Sequence, residues 1–363
     1  MKTVRAIITT LIWTLAGCYL LPAILLHIPI IQEAVGRQVA DTMAKTLGTK
    51  VCIERIDVGF FNRIVVDGLR IDDQQRQPML KATRVAAKVD LLSLFEGRVR
   101  ISSAQLFGLD ARFYKIAPNT PPNFQFALDS LSSQDNSKPS RLNLAIQSLV
   151  VRNGNIRYDQ LWQPHTAGLS LSHLQLSHLS GHVILHSLLP NSLHADIKKL
   201  SFSEQSGVRV KAFSLQFQAD RRGARLTDLS LKFPDSQLSI PEATFAYRVV
   251  NGKIDWRTAE GKVKIARSHL MPSDLAFLSP RLKGCHHLVN LEAETSMSGS
   301  KMYFTHLNVW SKGLVDGRLS GRVSLINPIH DWQVDVKRFR ADLLQCSKLL
   351  NTLSKGHPQL PSW

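Results

Sequence analysis

MLKATRVAAKVDLLSLFEGRVRISSAQLFGLDARFYK, residues 79–115, carries the pattern that decides the fold. Val85, Ala87, Val89 and Leu91 alternate with Arg84, Lys88 and Asp90. Leu109, Ala111 and Phe113 alternate with Asp110, Arg112 and Tyr114. Successive side chains of a strand point to opposite faces, so this period of two describes strands with one wet and one apolar face. The same alternation returns at Leu142, Leu144 and Ile146, at Phe213, Leu215 and Phe217, at Leu238 and Ile240, and at Val334 and Val336. Asn153-Gly154, Arg222-Gly223, Asn251-Gly252 and Asp316-Gly317 read as turns between strands, the Asn-Gly pairs most strongly.

Upstream the period is different. Ile31, Val35, Val39, Met43 and Leu47 recur every four residues beside Ala34, Ala40 and Ala44, which predicts an amphipathic helix over 31–48 that stops at Gly48. Its polar face is not strongly basic, so a cap on the first strand is favoured over a helix lying on a membrane. Ahead of it, no Asp, Glu, Lys or Arg occurs between Arg5 and Glu33. Ala6 to Leu26 has the length of a membrane span, about 20 residues. Trp13 and Tyr19 suit such a span, and membrane helices tolerate a Pro22 kink. Lys2 and Arg5 predict a cytoplasmic N-terminus and an exported remainder, a single-pass topology. Two rivals are a cleaved signal peptide and a lipoprotein signal at Leu15-Ala16-Gly17-Cys18; the apolar run continues past either, which favours an uncleaved anchor.

The chain has 363 residues and a net charge of +17, which favours anionic partners such as lipid head groups or nucleic acid. The basic residues are spread along the chain without an aromatic-laced stripe, so nucleic acid is not expected. Residues 132–140 predict a mobile loop. Two stretches, Val99 to Tyr114 and Leu144 to Tyr158, read alike as strand, short turn and strand ending in an aromatic. Repeated hairpins of this kind suggest an elongated β-architecture. Helices after Leu47 are scarce, with 275–282 and 343–353 as exceptions, so the apolar face needs a second sheet or an apolar partner.

The expected class is therefore mainly β: an N-terminal transmembrane helix, a short amphipathic helix, and an elongated antiparallel β-sheet curled into an apolar groove. A closed β-sandwich is the alternative. The expected divisions are a cytoplasmic start and anchor over 1–30, the helix over 31–48, the β-region over 49–350 and a tail over 351–363.

The order of these features, with HIPIIQEAV before the helix, LGTKVCIERIDVGFFNRIVVDGLRIDDQ after it, then residues 79–115 and NFQFALDSL, resembles the N-terminal part of the AsmA-like superfamily. The likeness is to TamB-type translocation and assembly proteins of Bacteroidetes-like bacteria. It is strongest over residues 1–160, looser to about 350, and rests on spaced apolar residues and turns. The resemblance implies an inner-membrane anchor, a periplasmic β-groove with an apolar interior, and a role in moving phospholipid toward the outer membrane. It also implies outer-membrane protein assembly with a TamA-type barrel partner, whose binding region in such proteins is C-terminal. This chain stops at Trp363 short of that region.

No P-loop, GxSxG, HExxH or GxGxxG occurs, and no enzyme or cofactor is expected. His173, His178, His182, His186 and His194 cluster, and His178, His182 and His186 share parity on one strand. Gly181 interrupts them and no Cys or carboxylate lies among them, so no metal is expected either. Cys285 and Cys346 are the pair a disulfide would join, a choice that spacing does not decide. The expected groove residues are Val85, Val89, Leu91, Leu109, Phe113, Leu144 and Ile146, lining a dry trough for acyl chains. The rival expectation is an assembly factor that binds envelope proteins through strand edges.

Overall fold

The computed structural model describes residues 10, 13–14, 29–59, 63–89, 99–132, 142–143, 147–165, 168–189, 192–250, 253–324 and 331–347. The chain is mainly β and divides into two units, Met1–Pro164 and His165–Trp363. Most of the expected span over 6–26 lies outside the described residues; residues 10, 13 and 14 are helical. Among the described residues no helix is long and apolar enough to cross a membrane. Cys18, Leu91, Leu144 and Ile146, the tail over 351–363, and the expected loop apart from Ser132 also lie outside them.

Unit 1 begins with α1 (Pro29–Leu47), within two residues of its expected bounds. Gly48 ends it at φ +64°, and Thr49 N–H donates to Ala44 O at 3.2 Å, the bond by which a left-handed residue closes a last helical turn. Ala40 and Leu47 of α1 are buried with Val51, and Ile53, Leu69, Ile71, Phe126 and Ala127 pack around them. The helix thus caps the first strands, as its weakly basic polar face predicts.

The sheet of unit 1 runs from β2 (Arg55–Gly59) through β3 (Arg63–Asp72) and β4 (Pro78–Val89) to β5 (Val99–Lys115), each pair antiparallel. The two-residue strand β1 (Val51–Cys52) also pairs with β3. The next partner departs from the antiparallel expectation. After α2 (Gln125–Ser132) and the two-residue strand β6 (Leu142–Asn143), β7 (Ser148–Gln160) pairs with β5 in parallel. Parallel strands need a crossover of a dozen or more residues, and α2 lies in the connection between β5 and β7, ahead of the expected loop. The two similar stretches therefore lie side by side, with Leu106 beside Val151 and Phe113 beside Tyr158. Their central turns are not turns. Gly108 at φ +60° and Asn153 at φ +52° sit inside continuous strands as left-handed kinks.

A polar node pins this unit. Asp73 is buried; its Oδ1 accepts from the N–H groups of Gln75 and Gln77, each at 2.9 Å. Its Oδ2 accepts from Tyr114 Oη at 2.7 Å and Asn123 Nδ2 at 3.4 Å. Burial first, and then the bond to Asp73, pushes the Tyr114 phenol up to about 12.

Among the described residues, unit 2 is an antiparallel meander of ten strands. They are β8 (His173–Leu189), β9 (Ser192–Glu204), β10 (Arg209–Asp220), β11 (Gly223–Lys232), β12 (Gln237–Val250), β13 (Lys253–Leu270), β14 (Val289–Ser298), β15 (Lys301–Ser311), β16 (Val315–Ser324) and β17 (Trp332–Ala341). Arg222-Gly223 lies at the β10–β11 turn, and Val250 pairs with Lys253 around residues 251–252. Asp316-Gly317, expected as a turn, lies inside β16. The scarce helices of this unit are two short 3-10 turns, Pro272–Leu275 and Pro280–Gly284, and a helical turn over 343–347. Cys285 and Cys346 are both free thiols.

Candidate functional site

Residues paired directly across an antiparallel ladder share a face of the sheet. In unit 2 the pairings join into one row that crosses all ten strands: Leu185, Ala195, Phe217, Leu226, Ala243, Val263, Thr295, Phe304, Gly321, Val334. A second row runs beside it from β9 to β17: Leu193, Ala219, Ala224, Phe245, Gly261, Met297, Met302, Val323, Trp332. Neither row contains a charge or a side-chain amide. The single hydroxyl, on Thr295, is directed to the Val263 carbonyl at 3.4 Å.

The neighbouring positions face the other way and are polar. Ser187, His194, Gln218, Arg225, Thr244, Lys262, Ser296, Tyr303, Arg322 and Gln333 form the corresponding row there. Glu242, Lys264, Glu294 and His306 follow one another, and Arg225 pairs with Glu242 at 2.5 Å. This is a solvated face.

Among the described residues of unit 2, each strand is hydrogen-bonded to its ladder neighbours within one continuous open sheet. The expected alternative of a closed sandwich is not formed within this meander. Phe217, Phe245 and Phe304 are half-buried, by side-by-side contact along the sheet. Two aromatic rings lie over glycines on the next strand: a Cβ at Gly261 would come 2.7 Å from Phe245 Cδ1, and one at Gly321 would come 2.9 Å from Phe304 Cζ. The rings therefore lie along the sheet and smooth its surface. Toward β17 the rows open to solvent, with Trp332 60% and Val334 38% exposed.

Unit 1 has shorter rows. Ile56, Val66, Val85, Leu106 and Val151 share one, and Leu69, Ala82 and Leu109 share another. Of the residues expected to line a groove, Val85 is half-buried in the first row. Leu109 is buried, and Phe113 packs edge-on against Phe124 with ring centroids 5.0 Å apart. Val89 pairs with Ile101 at the end of β4. The longest uncovered apolar surface among the described residues thus lies in unit 2, which contributed none of the expected lining residues. Its signal was present in the alternation at Phe213, Leu215 and Phe217 and at Val334 and Val336. Continuity from strand to strand depends on register and is not visible along the chain.

On the polar face, His182 and His186 share parity as expected, because the register shift between His182 and Val183 places its extra residue on β9. His178 is set apart from them by the shift between Ser177 and Ser180, where it adopts φ +54°. His173 stacks on His165, with ring centroids 3.8 Å apart. His186 meets His194 across the hairpin at 4.3 Å between ring centroids. Both approach Asp196: His186 Nε2 lies 3.2 Å from Oδ2 and His194 Nε2 lies 3.8 Å from Oδ1. Lys198 Nζ donates to Oδ2 at 3.0 Å. That bond, opposed by burial and aided by His186, holds the Asp196 carboxyl below the usual carboxylate range. The carboxylate that the sequence reading found missing stands two residues beyond His194. His194 also lines an open cleft of about 530 Å³ with Leu193, Gln218, Arg225 and Phe245.

No family model matches this chain, and neither a curated protein nor a solved structure matches it.

Proposed function

We propose that the chain is an inner-membrane-anchored periplasmic protein whose sheet holds lipid acyl chains on its apolar face, in phospholipid transport to the outer membrane and envelope biogenesis. One observation carries this reading: two adjacent rows without charge run across nine and ten strands of one continuous sheet. Apolar surface left in water costs about 25 cal/mol per Å², so a face of this extent calls for an apolar occupant. Nine inter-strand steps of about 4.8 Å give a track of roughly 43 Å, longer than the roughly 30 Å hydrocarbon core of a bilayer. The resemblance to the AsmA-like superfamily and the apolar stretch at Ala6 to Leu26 support the envelope location. A phospholipid on this track keeps its tails on the apolar rows and its head group in water at the rim.

The experiment is photocrosslinking of the full chain, in membranes, with phospholipid carrying a diazirine on its acyl chain. Adducts are expected on β10–β17 peptides, and Phe217→Glu and Phe304→Glu should lose them while Tyr303→Glu, on the polar face, keeps them. Equal labelling in all three variants overturns the proposal.

A second reading, a factor that assembles outer-membrane proteins through strand contacts, is favoured by β17. Trp332 to Arg340 are all exposed, and among the described residues β17 pairs with β16 alone. Protein crosslinks concentrated on β17, with no lipid adducts on the apolar rows, would select it.

A further inference from the structure

We propose that His186, His194 and Asp196, on the β8–β9 hairpin, form a binding site for a divalent transition-metal ion of the zinc class. The three side chains each bring a ligand atom within 4.8 Å of the other two. Zinc bonds of about 2.0–2.2 Å in tetrahedral geometry place neighbouring ligand atoms roughly 3.4 Å apart. The two imidazole-to-carboxylate separations, 3.2 and 3.8 Å, bracket that spacing. Two imidazole nitrogens with one carboxylate oxygen suit zinc, cobalt, nickel or copper; magnesium and calcium take oxygen donors throughout.

A second observation is independent of the spacing. The Asp196 side chain is nine-tenths buried, and its Oδ1 is shielded from solvent with no hydrogen-bond partner. A buried carboxylate oxygen is normally satisfied, and leaving it bare is costly. Oδ1 faces His194 Nε2 at 3.8 Å, too far for a hydrogen bond and suited to a shared cation. The hairpin builds the arrangement: Leu185 pairs with Ala195 on the apolar row, so His186 beside the one and His194 and Asp196 on either side of the other face the opposite way. That face is opposite the apolar rows, so this proposal does not rest on the lipid reading.

Two groups compete for the ligand atoms. Lys198 holds Asp196 Oδ2 at 3.0 Å, and Gln218 Nε2 lies 3.2 Å from His194 Nε2. Both competitors reach solvent, so an arriving ion displaces them into water. Three protein ligands leave a fourth position for water.

The test is titration of the chelator-washed full chain with Zn²⁺ by calorimetry and with Co²⁺ by visible absorption. One equivalent is expected to bind, with the spectrum of a four-coordinate ion. His186→Ala and His194→Ala should each weaken binding at least tenfold, Lys198→Met should tighten it several-fold, and a His286→Ala/His287→Ala control should leave it unchanged. Zinc should raise the melting temperature of the wild type and not of the His186→Ala/His194→Ala double variant. Absence of stoichiometric binding, or binding indifferent to both histidines, overturns the proposal. Should the alanine variants unfold, the Lys198→Met affinity and the cobalt spectrum of the wild type still decide it.

Discussion

Replacing Gly108 by alanine should loosen the β4–β5 ladder by a calculable amount. Gly108 sits at φ +60° inside β5, and an added Cβ would lie 2.5 Å from Thr83 Oγ1 and 3.1 Å from Thr83 Cβ. The left-handed backbone costs a non-glycine residue about 1–2 kcal/mol. Thr83 is exposed, so its hydroxyl can rotate away at roughly 0.5–1.5 kcal/mol. The sum is about 1.5–3.5 kcal/mol. Amide hydrogen exchange over residues 99–115 measures it locally, because the loss should appear there before it appears in unit 2. A Thr83→Ala partner variant separates the two parts: in that background Gly108→Ala should retain only the backbone cost. A Gly108→Ala loss under about 0.5 kcal/mol, or one that Thr83→Ala leaves unchanged, refutes the assignment of the kink to a left-handed residue packed on Thr83.

Three further outcomes are expected. Arg84, hydrogen-bonded to Asp67 at 2.7 Å and aided by Arg55, holds the Asp67 carboxyl below its ordinary range. Such a carboxylate stabilises the fold above its unfolded pKa, about 3.9, and the gain disappears as pH falls through the folded value. Arg84→Met should therefore lower stability slightly at pH 7, since the arginine is half exposed, and not at strongly acidic pH in urea titrations; an equal gap at both pH values contradicts this. Tyr114→Phe removes the hydroxyl that donates to Asp73 and should cost about 1–3 kcal/mol. In the wild type one phenol should titrate near 12 in the ultraviolet difference spectrum against Tyr114→Phe. Because the folded value lies above the unfolded one near 10, the associated stability is complete below pH 10 and is lost as pH rises toward the folded value. Leu47→Ala, in the buried contact of α1 with Val51, should cost about 2–4 kcal/mol and raise exchange throughout α1 and β1, while exchange confined to the helix end would show that α1 does not cap the sheet.

The two sites differ in how far they were legible. Alternation identified apolar-faced strands, but the residues chosen as lining came from unit 1, where Leu109 is buried and Phe113 is packed on Phe124. The rows of unit 2 contain small residues, Ala195, Ala243, Gly261 and Gly321, which carry little hydrophobic signal singly. They matter because aromatic rings from the adjacent strands lie over the two glycines. For the histidines, a uniform period of two places His178, His182 and His186 together. The register shift between Ser177 and Ser180 sets His178 apart, and His186, on the face of His182, meets His194 and Asp196 across the hairpin.

What the sequence by itself determined is local. The four-residue recurrence and Gly48 set α1 and its end, and the two-residue period marked stretches of β4, β5, β10, β12 and β17. Arg222-Gly223 and the segment at 251–252 marked two of the hairpins. These follow from backbone sterics and short-range periodicity, which neighbouring residues alone decide. Only the tertiary structure decided that Gly108 and Asn153 kink continuous strands, that β5 and β7 run parallel, and which residues join across ten strands. A glycine or asparagine with positive φ serves equally in a turn or in a bulge, and the choice depends on whether a neighbouring strand keeps the ladder on both sides. One such residue reverses the faces of everything after it, so membership of an apolar row or of the His186–His194–Asp196 cluster is a property of the assembled register.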